Sequence, residues 1–376
     1  MGSVSPVTRR YHEQADKFGG PEHRDISAEG LLVLFCCKGA IDGHTAGYVR
    51  TLIESGLDWD RVLRLAHQER VLPHLSECLS TTFQDHVPAT IMAELKRQLL
   101  EITGVSLVLG SEIAAVVKLL EARGLRVLTF KGPALAVVAF GNPTARMFGD
   151  IDLIVAQNDF APCQEHFRAN GYTVVEDYVF EKTFQREGTW AAIDLHGTIT
   201  PLAFPCPLLF DDLWARREMV DVFGHEVPSL SIADHLLAHC LQTTHDRYQN
   251  RLSLAKLTDI AGLLQRGIDI DWDHLLALAD RLGMSRRLLI ALGAVADLLA
   301  SPLPPEVASL LNDRASLRRL SQFTGRGVLD QENRGIVGFV ERVAYHFRVH
   351  ERHRDKLAQM RMVPLKIQQA FAKSRI

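Results

Sequence analysis

The stretch Arg126-Val127-Leu128-Thr129-Phe130-Lys131-Gly132-Pro133, followed by Gly149-Asp150-Ile151-Asp152-Leu153-Ile154-Val155, decides the fold. Its first five residues read as a strand, Lys131-Gly132-Pro133 as a sharp turn, Ala134 to Phe140 as a short helix, and Asp150 opens a second strand after a loop through Arg146. Successive strand side chains point to opposite faces, so Asp150 and Asp152 share one face while Ile151 turns to the core. Leu153, Ile154 and Val155 continue as an apolar run, the mark of a buried central strand, which leaves the two acids at its accessible end. Two carboxylates this close repel, and either a raised pKa or a bound hard cation relieves them. The pattern favours the cation.

Outward from this stretch the chain is helical on both sides. Residues 1–27 are polar, with no sustained apolar period, and read as a flexible arm. Residues 28–104 carry apolar positions at helical spacing, with an acidic helix start at Asp58 and a break at Val71-Leu72-Pro73. Gly104 to Gly124 reads as a long apolar helix feeding the first strand. Asn158 is expected to cap the next helix, and three strand-like runs follow: Tyr172 to Glu176, Val179 to Arg186 and Trp190 to Leu195. The third carries Asp194 between Ile193 and Leu195, placing it to join the pair on the sheet face. A hairpin around Phe223-Gly224-His225 closes the sheet near residue 230, and everything from Ser231 onward is helical. The division is an arm (1–27), an N-terminal helical region (28–104), an α+β core (105–230) and a C-terminal helical domain (231–376).

At this point the residues carry a resemblance. Leu128-Thr129-Phe130-Lys131-Gly132, Arg146, Gly149-Asp150-Ile151-Asp152-Leu153 and Ile193-Asp194-Leu195-His196 resemble a mostly uncharacterised bacterial nucleotidyltransferase family of the DNA polymerase beta type. The resemblance implies a mixed sheet flanked by helices, Mg2+ or Mn2+ as cofactor and an NTP as co-substrate. Asp150 and Asp152 would hold two ions, one shared with the triphosphate, and Asp194 would complete the second site. Catalytic and metal-binding residues are then Asp150, Asp152 and Asp194; nucleotide-binding residues are Lys131, Gly132, Arg146, His196 and Lys256. His196 reads equally as an imidazole bonded to backbone. Two-metal displacement at the alpha-phosphate needs one ion to activate the attacking oxygen and one to neutralise the leaving group.

Gly132 lets phosphates approach bare backbone at a helix N-terminus. The chain departs from the superfamily's usual Gly-Ser or Gly-Gly here: Pro133 removes a donor while suiting the first helical turn, and the spacer to Asp150 is longer than usual. Lys131 and Arg146 are placed to supply positive charge instead.

Composition excludes little. With 376 residues, 47% hydrophobic and a net charge of -3, the chain has no global bias toward nucleic acid or acidic membranes. Six cysteines without a C-x-x-C pair read as reduced core thiols, and with no secretion signal and no run of some 18 apolar residues a cytoplasmic enzyme is expected. His235 and His239, four apart, lack a third ligand at metal spacing and read as core histidines. Arg251, Lys256 and Asp259 read first as salt-bridge partners and second as cleft residues. From Glu341 onward nine Lys or Arg face three acids, a solvated face or an acceptor surface for nucleic acid or membrane. Two other classes stay open: a glycosyltransferase holding a nucleotide-sugar's metal on the Asp pair, and a noncatalytic binding module.

Overall fold

A computed structural model describes residues 26–352, except 40, 178–180, 200–207, 267–269 and 329–335, together with 355–356. All of the expected arm but Ile26 and Ser27, and most of the basic C-terminal stretch, lie outside the described residues. Four helices come first: α1 (Ala28–Cys36), α2 (Gly43–Glu54), α3 (Trp59–Gln68) and α4 (Leu72–Thr82). Ser27, Asp42 and Asp58 cap the first three by accepting backbone N–H groups with their side chains. Asp58 and the Leu72-Pro73 helix start stand where the sequence puts them.

The helix expected from Gly104 begins earlier. α5 (Ala89–Glu121) runs 33 residues straight through Gly104, because one glycine costs only about 1 kcal/mol in a helix. It is long and apolar enough to cross a membrane by length and composition, which the search for an unbroken apolar run misses. Its C-terminal half buries Leu109, Ile113, Val116, Val117 and Leu120 against the sheet, as a core helix does. Gly124, with φ +70°, then turns the chain into β1 (Val127–Thr129).

The sheet is mixed and seven-stranded among the described residues, in the order β3-β4-β5-β2-β1-β7-β6. Its further strands are β2 (Asp150–Val155), β3 (Tyr172–Asp177), β4 (Glu181–Arg186), β5 (Ala192–His196), β6 (Glu218–Val222) and β7 (His225–Ser229). β2 is the middle strand and is buried from Ile151 to Val155, the position its apolar run predicts. β6 and β7 form the expected hairpin, with Phe223 and Gly224 both at positive φ, as a tight two-residue turn requires. Between β2 and β3, α7 (Phe160–Ala169) follows a short turn at Gln157–Asp159, so Asn158 sits inside that turn and does not cap.

Each sheet face has its own cover. Ile151, Leu153, Val155, Ile193 and Leu195 pack on α5 and α7. The opposite face, which carries the acids, packs Leu128, Phe130 and Ile154 against Leu213, Leu230 and Ala238. Ala238 belongs to α9 (Ile232–Gln249), reached after α8 (Phe210–Ala215); α10 (Leu254–Arg266), α11 (Trp272–Leu282), α12 (Ser285–Leu299), α13 (Pro305–Asn312), α14 (Ala315–Gly325) and α15 (Ile336–Val349) complete the helical end.

Helices from both ends of the chain share one core: Leu34, Leu52, Leu75 and Phe83 join Leu237, Leu257, Ile260 and Leu288. Glu69, just past α3, accepts the Leu254 N–H with its carboxylate at 2.6 Å and the Ala255 N–H with its backbone carbonyl at 3.1 Å, so an N-terminal residue caps the start of α10. α6 (Gly132–Phe140) approaches α10 so closely that a Cβ on Gly262 would lie 2.8 Å from the Ala139 carbonyl oxygen. The five described free cysteines, Cys36, Cys37, Cys78, Cys163 and Cys240, are buried, as expected of core thiols.

Burial of histidine makes this core acid-sensitive. His235 and His239 of α9 are 0% and 3% exposed and stack 5.9 Å apart. Burial, reinforced by Arg146, pulls His235 down to about 3; burial also holds His239 well below its ordinary value, with His235 and the Arg146, Lys131 and Lys256 cations adding to it. The folded state refuses protons that the unfolded chain takes up below about pH 6.5. Their contribution is therefore complete above that pH and is lost as pH falls toward the depressed folded values, at up to about 1.4 kcal/mol per pH unit for each group. Urea midpoints are expected to be flat above pH 7 and to fall steeply between pH 6.5 and 4, and His239→Gln to flatten that slope.

Candidate active site

Register brings the acids together. β2 and β5 run parallel, with Asp150 opposite Ala192 and Asp152 directly opposite Asp194. Asp150 is half-buried, but Asp152 is 4% exposed, so the accessible strand end expected for the pair holds for the first acid only. Asp152 is buried because three groups close over it. Lys131 donates from Nζ to Asp152 Oδ1 at 2.6 Å, and His196 Nε2 donates to the same oxygen at 3.1 Å. Phe130 meets the His196 ring edge-on and lies 4.6 Å beneath the Lys131 ammonium.

A second layer comes from β4, which sequence reasoning passed over. Thr183, paired with Asp194 across the strands, donates from its hydroxyl to Asp194 Oδ1 at 2.6 Å. Glu181, paired with His196, brings Oε2 to 3.5 Å from His196 Nδ1. The antiparallel β4–β5 register makes both contacts, and the only sequence signal was alternation of Glu181 and Thr183 on one strand face.

The acids therefore differ in ionisation. Burial raises Asp150 above the usual carboxylate range and the Asp152 charge raises it further, partly offset by Lys131, Arg70 and Arg146. Burial would raise Asp152 too, but Lys131 and His196 outweigh it and hold it well below that range. Asp194 is pushed up to about 6 by burial and by Asp152 and Asp150, against the pull of the Thr183 hydroxyl and the His196 charge. Burial opposes the charge on Lys131, but the Asp152 contact prevails and raises it.

Among the described residues, Asp152, Asp194 and His196 form the group whose ligand atoms all lie within 4.8 Å of one another. Two carboxylates suit Mg2+ or Mn2+, and an imidazole is a ligand more typical of a transition metal than of Mg2+. The group overlaps the expected acids but takes His196 in place of Asp150. His235 and His239 stand apart from it in the core.

The remaining expected residues are placed as follows. Gly132 has φ +60°, and an added Cβ would sit 3.4 Å from the Asp150 carbonyl oxygen; it opens α6 beside the acids with Pro133 in the first turn. Arg146 turns away from open cleft: it donates to both carboxylate oxygens of Asp259, at 2.5 and 2.8 Å, and to Gly132 O at 3.4 Å. Asp259 is 1% exposed, so the salt bridge expected of it is a buried one between the loop and α10. Lys256 pairs with Asp246, whose other carboxylate oxygen lies 3.7 Å from Arg251. Beside the loop into Asp150, a cavity of about 520 Å³ is lined by Leu63, Leu72, Ile102, Val105, Met147 and Phe148 together with Arg64, His67, Arg97, Gln98, Glu101 and Ser106.

A mixed sheet that aligns Asp152 with Asp194 on neighbouring strands, beside a glycine turn opening a helix, is the arrangement the nucleotidyltransferase resemblance implies. The model of the uncharacterised nucleotidyltransferase family matches residues 55–300, well over half of the sequence, and the chain belongs to that family. No curated protein matches it. Among solved structures, a lincosamide antibiotic adenylyltransferase with lincomycin bound is 16% identical, with 42% of this chain and 96% of that one covered at a TM-score of 0.32. A nucleotidyltransferase-like protein from Paracoccidioides brasiliensis is also 16% identical, with 54% and 92% covered at 0.36. An antibiotic-resistance factor solved in solution is 15% identical, with 54% and 95% covered at 0.27. These likenesses are partial and bear on nothing further.

Proposed function

We propose that this nucleotidyltransferase moves NMP from an NTP to a hydroxyl-type acceptor in a reaction that depends on Mg2+ or Mn2+. The observation that carries the reading is the level pairing of Asp152 with Asp194, with His196 completing a compact ligand set. Asp152, Asp194 and His196, its imidazole giving up the N–H it donates to Asp152, would hold the cation and Asp150, half-buried at the strand start, would face the nucleotide side. The cation, when bound, supplies charge neutralisation at the transferring phosphoryl group.

The chain's own groups would do the rest. Gly132 and the start of α6 present backbone to the phosphates, and Lys131 supplies a movable positive charge beside them. Thr183 and Glu181 aim Asp194 and His196. Asp194, as a ligand of the cation, would hold the acceptor hydroxyl beside it, where a bound ion lowers the hydroxyl's pKa. The apolar cavity beside Met147 and Phe148 would seat the acceptor: extended chain places Phe148 within about 7 Å of Asp150, and the volume suits a small molecule. The reaction site would be cytoplasmic.

The test is a thermal-shift panel of the four NTPs and several nucleotide-sugars, with and without Mn2+. Ligand at 100 times its Kd adds roughly 2.7 kcal/mol, several degrees for a chain of this size. One NTP is expected to stabilise the protein only with the metal, and Ile102→Trp, which fills the cavity, to leave that shift intact. Stabilisation by nucleotide-sugars alone overturns the reading in favour of a glycosyltransferase, and no metal-dependent shift at all in favour of a binding module.

A further inference from the structure

We infer that Lys131 is a movable counter-cation that keeps divalent metal off Asp152 until a triphosphate draws the lysine away, so that metal and nucleotide bind together and not in turn. This rests on the metal-dependent reading above.

The geometry begins at one oxygen. A carboxylate oxygen offers two in-plane acceptor directions, and on Asp152 Oδ1 both are taken, by Lys131 Nζ at 2.6 Å and His196 Nε2 at 3.1 Å. Asp152 also belongs to the group able to hold a cation. A dication bound there at about 2.0–2.1 Å, the Mg2+ distance, would sit against the ammonium, and two like charges at contact in a half-buried site repel by several times thermal energy. Lys131 must leave for the metal to bind well.

A second place for the ammonium lies close by. Lys131 immediately precedes α6 as its N-cap residue, its side chain is 27% exposed, and the Phe130 ring supports the ammonium. A swing about its four-carbon stem carries Nζ from Asp152 to the mouth of the helix, where phosphates would meet the Gly132 backbone. The other cations read from the sequence as phosphate ligands are held elsewhere: Arg146 by both oxygens of Asp259, Lys256 by Asp246. Nucleotide thus removes the charge that opposes the metal, and by linkage the metal favours nucleotide by the same factor.

Direct binding of Mn2+, followed by the spin-resonance signal of the free ion, separates this from a purely structural lysine. Without nucleotide, Lys131→Met is expected to bind Mn2+ at least about tenfold more tightly than the parent protein, while Lys131→Arg, which keeps the charge, stays as weak as the parent. Adding the NTP identified by thermal shift should tighten Mn2+ binding in the parent at least about tenfold and in Lys131→Met by far less. If Lys131→Met melts too low to titrate, Lys131→Gln reads the same quantity. Mn2+ binding no tighter in the neutral variants, in a protein whose parent shows metal-dependent NTP stabilisation, overturns the counter-cation and leaves the nucleotidyl-transfer reading standing. A parent protein that takes up no Mn2+ with any NTP overturns both.

Discussion

Asp194→Asn is expected to melt at a higher temperature than the parent protein in metal-free buffer and yet to lose metal binding and transfer. The substitution removes a charge that burial and the Asp152 and Asp150 carboxylates all oppose, which is why Asp194 is pushed up to about 6. The sign follows from linkage: a carboxylate raised in the folded state penalises folding at every pH above its unfolded value, and a neutral carboxamide lifts the penalty at pH 7. Asparagine keeps an oxygen for the Thr183 hydroxyl, so the β4–β5 contact survives. Function moves the other way. Losing even an outer partner of a metal ligand costs about 10- to 100-fold in affinity, and losing a ligand should exceed that range. The same change at Asp152 must invert the stability effect, because that charge balances Lys131 and His196: Asp152→Asn should melt lower and also fail to bind Mn2+. Melting curves with and without Mn2+ on the two variants decide the matter, and a matching fall in both metal-free curves would refute the charge ordering.

Much of this site was legible because its parts are local. Alternation fixed the face of Asp150 and Asp152, the apolar run placed β2 in the middle of the sheet, and Phe223-Gly224 announced the closing hairpin. Level pairing of Asp152 with Asp194 was legible only as a shared face, since parallel register between positions 42 residues apart has no local signature. Thr183 and Glu181 were invisible for a related reason: a threonine or glutamate in a strand has many uses, and only the β4–β5 register aims these two at Asp194 and His196. The joint core of the N-terminal and C-terminal helices was equally hidden, because periodicity shows that a helix face is buried but not what covers it. Arg146 shows the limit most plainly. A cation near a phosphate turn invites a phosphate role, yet its carboxylate partner lies 113 residues away.

That partner makes Asp259→Ala the most destabilising of the single changes considered. Asp259 is 1% exposed, and the Arg146 side chain 12%; both oxygens of the carboxylate accept from the guanidinium. Removing one member of such a pair strands a buried charge at a cost of about 3–5 kcal/mol, whereas replacing both with apolar groups of similar volume is often neutral. Here the stranded guanidinium would also face His74, His235 and His239, whose neutral forms it already favours. Asp259→Ala should therefore lower the melting temperature by roughly 10 °C, at about 2–4 °C per kcal/mol in a large domain. Arg146→Met/Asp259→Leu should recover most of that loss. Burial raises Asp259 even with Arg146 beside it, in keeping with the desolvation that every buried ion pair must overcome. What the pair contributes instead is position: Arg146 reaches Gly132 O and stands in the loop that delivers Asp150, so it joins the Gly132 turn, the acid strand and α10 at one point. The stabilised double variant is thus expected to bind Mn2+ within about tenfold of the parent, because the ligand set on β2 and β5 is untouched, but to lose transfer rate as the turn and strand drift apart, since a misplacement of about 1 Å can cost 100-fold. Unimpaired transfer in that variant would mean that the core holds the turn without the ion pair.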